Sequence, residues 1–268
     1  MSAQIEFPNP FELLPETGWR PAERRELRVF GAPVELLLLP ERRSRQGAPS
    51  DFRPAFRANP AERIMREEAI WHGDRVVLTP NKFAFAERHA LLWTTTPHRE
   101  APEHLLESGF AMVERHGGTA LGNSIGAAAS IQRAHLHLAA DELPFLDAVE
   151  EQDFALDGLV DEFDVETKKL AGVPFVGVGV RGSARERARA TARLIELRMT
   201  ATFTLLARGD TTWVFPRRAE TPAPHFPYAV GAAEYWGRWC YGDAEPLAAA
   251  TSEALERALV ESTVVTAV

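Results

Sequence analysis

The alternation in His135-Leu136-His137-Leu138-Ala139 constrains this chain more than any other feature. At a period of two, a β-strand sends both imidazoles to one face and both leucines to the other. One face is therefore polar and the other enters a core. The predicted strand, residues 134–139, follows a run of small residues, Gly122-Asn123-Ser124-Ile125-Gly126-Ala127-Ala128-Ala129-Ser130, which lets a ligand come close to the backbone.

Those residue types suit phosphorus chemistry. A neutral imidazole is a competent nucleophile toward a phosphate ester when its second nitrogen donates a hydrogen bond that fixes the tautomer. His137 is the candidate nucleophile, and His135 the residue that orients a phosphate or the leaving group. Asn123, Ser130 and Gln132, with backbone amides of the small-residue run, are candidates for the non-bridging oxygens and the charge that builds in the transition state. A His-x-His pair also occurs as a metal site or as the ordinary polar face of a strand, so the pair alone leaves those readings open.

Composition narrows the field. A formal charge of -8 and a pI near 5.6 argue against a nucleic-acid polymer as partner and for a small anionic ligand. The single cysteine, Cys240, supports neither a disulfide framework nor a multi-cysteine zinc site. No apolar run approaches the length of a membrane span, and the first ten residues lack the pattern of an export signal, so the expected location is the cytoplasm, with no membrane partner. The 268 residues are expected to form a single unit, 1–268, with two lobes, 1–150 and 151–268, sharing one core.

Along the chain, residues 34–39 read as a strand, and 41–60, rich in Arg, Pro, Ser and Gly, as a solvated connection. Strands are predicted over 75–79, 83–85 and 90–95, with a turn at Pro80-Asn81-Lys82. A helix runs from Pro102 to about Arg115, stopped by Gly117-Gly118. The acidic stretch 141–166 reads as a linker with helical content. A strand over 174–180, a helix capped by Ser183, a hairpin of 202–207 and 211–215 around Arg208-Gly209-Asp210, and a helix over 251–261 complete the reading. No internal repeat is detected.

Four segments carry a resemblance to the branch of the histidine-triad superfamily that contains galactose-1-phosphate uridylyltransferase, GDP-hexose phosphorylases and diadenosine tetraphosphate phosphorylases. They are Pro80-Asn81-Lys82-Phe83 followed by His89-Ala90-Leu91-Leu92-Trp93-Thr94; the small-residue run before His135-Leu136-His137; Phe203-Thr204-Leu205-Leu206 through Trp213-Val214-Phe215-Pro216-Arg217; and residues 231–237. The resemblance spans roughly residues 75–257. It implies an α+β fold, a twisted and mostly antiparallel half-barrel sheet backed by helices. It also implies a nucleotidyltransferase or phosphorylase that forms a covalent nucleotidyl intermediate on His137. The substrate would be an NDP-sugar or dinucleoside polyphosphate, the acceptor phosphate or a sugar phosphate, and no cofactor or metal is implied. Asn81 and Lys82 would lie along the nucleoside and phosphates, and Arg217, or Arg218 beside it, near the anionic group. A homodimer is compatible. Two departures stand out: Ala139 occupies the position where the family has glutamine, which admits hydrolysis, a different acceptor or a nucleotide-binding protein without turnover, and the galactose enzyme's zinc-binding cysteines are absent.

Rival motifs point elsewhere. Gly177-Val178-Gly179-Val180-Arg181-Gly182 fits a dinucleotide-binding fingerprint between strand and helix, although no acidic residue ends a second strand at the expected separation. His135, His137 and Glu142 imitate the first metal motif of cupin barrels, without its flanking glycines. His72, His98, His104 and His116 are expected on surfaces or helix ends, and His89 at the edge of the core. Trp213, Trp236 and Trp239 are expected in the core or an interface, and Cys240 as an inert buried thiol.

Overall fold

The His-Leu-His-Leu alternation becomes the strand His135–Ala139, with both leucines fully buried and both histidines half-buried. The computed structural model describes residues 7–16, 18–42, 60–197 and 200–265. In chain order the strands are β1 (Glu23–Val29), β2 (Ala32–Leu38), β3 (Trp71–His72), β4 (Val76–Pro80), β5 (His89–Thr94), β6 (Thr119–Asn123), β7 (His135–Ala139), β8 (Glu150–Asp153), β9 (Glu166–Ala171), β10 (Val178–Arg181), β11 (Thr202–Arg208), β12 (Thr211–Arg217) and β13 (Arg238–Tyr241). The helices are α1 (Pro60–Glu67), α2 (Glu103–His116), α3 (Ala184–Glu196), α4 (Ala232–Trp236), α5 (Ala244–Ala249) and α6 (Ser252–Ser262).

Ten strands form one antiparallel sheet in the order β3-β4-β5-β7-β6-β11-β12-β10-β9-β8, and β1-β2-β13 form a second, three-stranded sheet. The expected α+β architecture, an open antiparallel sheet backed by helices, is what the chain adopts. The leucine face of β7 is covered by α2 and α3, which pack on Leu136, Leu138, Leu205 and Val214. Within α2, Gly109 allows that close approach: a Cβ there would lie 2.5 Å from Leu136 Cδ1. A glycine inside a helix costs about 1 kcal/mol relative to alanine, so close packing is what this residue supplies. The opposite face is covered by the three-stranded sheet and the C-terminal helices through Phe85, Tyr235, Trp236 and Trp239.

The large sheet contains a repetition invisible in the sequence. Outward from its centre, β6-β7-β5-β4 is matched by β11-β12-β10-β9, with α2 following β5 and α3 following β10 in the chain. Leu121 of β6 pairs with Leu206 of β11 at the junction. On one side Leu121 pairs with His137, which pairs with Leu91; on the other Leu206 pairs with Trp213, which pairs with Gly179. Trp213 thus occupies the place of His137 in the second copy.

Several expectations are corrected. Residues 83–85 are not a strand: Asn81 Oδ1 accepts the Phe83 N–H at 3.0 Å and turns the chain, and β5 begins only at His89. The stretch 141–166 carries one 3-10 turn, Leu146–Ala148, and the edge strand β8 in place of longer helices. β8 is polar and exposed along its whole length, with three carboxylates and Gln152, which suits a sheet edge better than a packed helix. The strand expected over 174–180 is shorter, Val178–Arg181. The dinucleotide fingerprint fails because β10 lies antiparallel between β9 and β12, outside any parallel βαβ unit, and Gly179 makes room for the Trp213 ring, 2.8 Å from where its Cβ would be. The connection expected over 41–60 falls mostly outside the described residues. Among the described residues, no helix is long and apolar enough to cross a membrane.

Candidate active site

Strand β7 presents His135 and His137 on the face opposite its leucines, with ring centroids 5.2 Å apart. A third imidazole joins them from β5. His89 pairs with Ala139 across the ladder and reaches sideways, so that its Nε2 lies 2.9 Å from His137 Nδ1. Asn81, in the turn between β4 and β5, approaches both rings: its Nδ2 is 3.0 Å from His89 Nε2 and 3.5 Å from His137 Nδ1. The turn that removes residues 83–85 from the sheet is therefore what brings Asn81 to the histidines.

His89 is 3% exposed, and burial holds its pKa well below the ordinary imidazole value; Arg42, Arg238 and His135 act in the same direction. It is neutral at pH 7 and carries one proton. When that proton is on Nδ1, its Nε2 accepts from His137 Nδ1–H and the lone pair of His137 is on Nε2. When it is on Nε2, His137 Nδ1 is the acceptor, and the Phe85 N–H, 3.2 Å from His89 Nδ1, is satisfied instead. His135 has one arrangement. Its Nδ1–H donates to the Arg133 carbonyl at 2.8 Å, which leaves its Nε2 unprotonated in the neutral ring. The Trp93 ring packs on His135 with centroids 4.6 Å apart, and Phe85 sits 5.6 Å from His137.

Asn123 ends β6 on the same face. Its Oδ1 accepts from Thr204 Oγ1–H at 3.0 Å and from the Ala232 N–H at the start of α4 at 2.9 Å. Thr204 Oγ1 in turn accepts from Arg217 Nη1 at 2.9 Å, while Arg217 Nε and Nη2 donate to the Ser262 and Ala219 carbonyls. Arg217 is 2% exposed, so it sits behind Asn123 as part of a buried brace and away from the open face of the site. Arg218 is exposed and donates to the Glu261 carbonyl. Lys82, Ser130 and Gln132 are exposed, the first in the turn after Asn81 and the others in the approach to β7. The approach itself is strained: Ala128 adopts φ +72°, and its N–H donates to Glu220 Oε1 at 2.9 Å.

Glu142 is not gathered with the histidine pair. Its carboxylate accepts from the Gly118 N–H at 3.2 Å and lies 3.4 Å from Arg208, which leaves the cupin-like motif without its third ligand. Among the described residues, no cluster of three His, Cys, Asp or Glu side chains has the geometry of a metal site. Trp213, Trp236 and Trp239 are buried in the core, as is Cys240, whose thiol burial pushes up to about 12. His89 was expected at the core edge without a role; the pairing of β5 with β7 that sets it against His137 leaves no local signal in the sequence.

No protein-family model matches the sequence, and no curated protein does. Solved structures do. A crystal structure of yeast Ap4A phosphorylase Apa2 in complex with Ap4A superposes with a TM-score of 0.70 at 14% identity, covering 92% of this chain and 90% of that one. The structure of the same yeast protein in complex with AMP gives 0.68 at 15% identity over 90% of this chain and 87% of the other. Over nearly its whole length, then, this chain has the fold of the yeast Ap4A phosphorylase.

Proposed function

We propose that the chain is a nucleotidyltransferase or phosphorylase acting on a dinucleoside polyphosphate or NDP-sugar through a covalent intermediate on His137. The observation that carries this reading is the contact of three imidazoles, His89, His137 and His135, on a fold shared with a phosphorylase of Ap4A. With His137 Nδ1–H donated to His89 Nε2, the attacking lone pair lies on His137 Nε2. That nitrogen forms a bond to the α-phosphorus while the bond to the departing phosphate oxygen breaks. His89, neutral at pH 7, keeps its acceptor nitrogen against the positive charge that develops on the ring. An acceptor oxygen, from phosphate, a sugar phosphate or water, then attacks phosphorus and the P–N bond breaks. His135, Asn123, Asn81 and Lys82 bind and orient the phosphates, with Ser130 and Gln132 at the entrance, and Arg217 holds Asn123 in place through Thr204. Splitting one displacement into two lowers each barrier.

Incubation with a panel of AMP-, GMP- and UMP-yielding substrates followed by mass spectrometry tests the reading. A nucleotidyl adduct on His137, absent from His137→Asn along with turnover, is the expected result; a fully active His137→Asn variant overturns it. Ala139 motivates a second reading. It is fully buried and offers no amide to the transferred phosphate, so water competes with phosphate as acceptor or the chain binds nucleotide without turnover. Product analysis with and without phosphate separates these outcomes.

A further inference from the structure

Arg133 lies two residues before the start of β7, and its side chain is 2% exposed. Its Nη2 donates to the Thr95 carbonyl at 2.8 Å, but its Nε and Nη1 have no hydrogen-bond acceptor. Among the described residues it is paired with the carboxylate of Glu62 in α1, which stands 3.8 Å from Nη1, beyond hydrogen-bond reach, and is itself 69% exposed. Two other buried arginines contrast with it, although the buried Arg187 also leaves its Nε without an acceptor. Arg238 reaches Glu35, Asp141 and the Phe85 carbonyl, and Arg217 donates from all three nitrogens. A buried guanidinium with unmatched donors is costly unless an anion completes it.

Its position says which anion. Thr95 follows β5, and Trp93 of β5 pairs with and packs on His135. Helix α1 covers Leu91 and Trp93 on that same face. The guanidinium therefore sits between α1 and the residue that follows β5, at the end of the strand pair where His135 lies. An anion held there would lie beside the histidine-bearing face, at its His135 end.

We propose that Arg133 binds the phosphates beyond the one transferred, with the Glu62 carboxylate turning out to solvent when the ligand anion takes its place. This rests on the nucleotidyl-transfer reading and adds a preference: substrates with a long phosphate chain over those with one phosphate.

Calorimetric titration of the full chain with inorganic tripolyphosphate and, separately, AMP tests it. For Arg133→Gln, tripolyphosphate affinity falls about 10- to 100-fold, while AMP affinity changes less than about twofold; Arg133→Lys loses less. Glu62→Gln, at an exposed position that leaves folding intact, tightens tripolyphosphate binding about three- to tenfold by removing the competing carboxylate. The proposal is overturned if tripolyphosphate does not bind the wild type, if Arg133→Gln binds it as well as the wild type, if both ligands weaken equally, or, should Arg133→Gln not fold, if Glu62→Gln changes nothing. Arg133-dependent binding of tripolyphosphate without any adduct on His137 upholds the anion site and sinks the nucleotidyl-transfer reading instead.

Discussion

Replacing Glu234 by glutamine should flatten the pH dependence of stability. Glu234 lies in the first turn of α4, 6% exposed, and its Oε2 accepts the Gly231 N–H at 2.8 Å. Burial raises its carboxyl from 4.5 to about 7, against the opposing pull of nearby backbone amides and Arg42. Because the folded value lies above the unfolded one, the stabilisation from the bound proton is complete below pH 4.5 and is lost as pH rises through about 7. The shift corresponds to about 3 kcal/mol. Glutamine keeps an oxygen for Gly231 and never ionises. The variant should match the wild type near pH 4.5 and exceed it by about 3 kcal/mol above pH 8, or roughly 5–10 °C in Tm. Urea denaturation of both proteins between pH 4.5 and 8.5 gives the difference curve, in which all other titrating groups cancel. A difference that stays constant across this range would refute the reasoning. The same turn of α4 donates the Ala232 N–H to Asn123, so nucleotide affinity should weaken over the same pH interval in the wild type and not in the variant.

Three other outcomes are expected. His89→Gln should lower kcat about 10- to 100-fold with KM nearly unchanged, because it disturbs the ring that holds His137 and touches no substrate; steady-state kinetics that place the loss in KM would contradict this. Ala128→Gly should stabilise the fold by about 1 kcal/mol by relieving the left-handed backbone at φ +72°, measured by thermal denaturation. Gly109→Ala should destabilise by about 1 kcal/mol despite its better helix propensity, since the new Cβ would meet Leu136 at 2.5 Å and overpacking outweighs propensity; a more stable variant would show that α2 can shift freely.

What was legible in the sequence was local. The period of two at His135–Ala139 and the turn chemistry of Arg208-Gly209-Asp210 fixed their strands before any coordinates, as did the Ser183 cap, which accepts from the Glu186 N–H. The site was half legible. Asn81 reaches His137, His135 stands beside it and Asn123 lies on the same face, but Arg217 is buried against the end of α6, a packing that sequence alone does not show. His89 and Arg133 were missed as participants because their significance lies in partners far along the chain: His137 for one, Thr95 and Glu62 for the other. The strand β8 was read as part of a linker with helical content because an acidic, exposed edge strand carries no apolar alternation to read.

Trp213 standing where His137 stands has an arithmetic result. The sheet repeats one strand pattern twice, and where one copy carries the imidazole proposed as nucleophile the other carries an indole wedged over Gly179. A pre-steady-state burst should accordingly level off at one equivalent of released product per chain, whatever the assembly in solution.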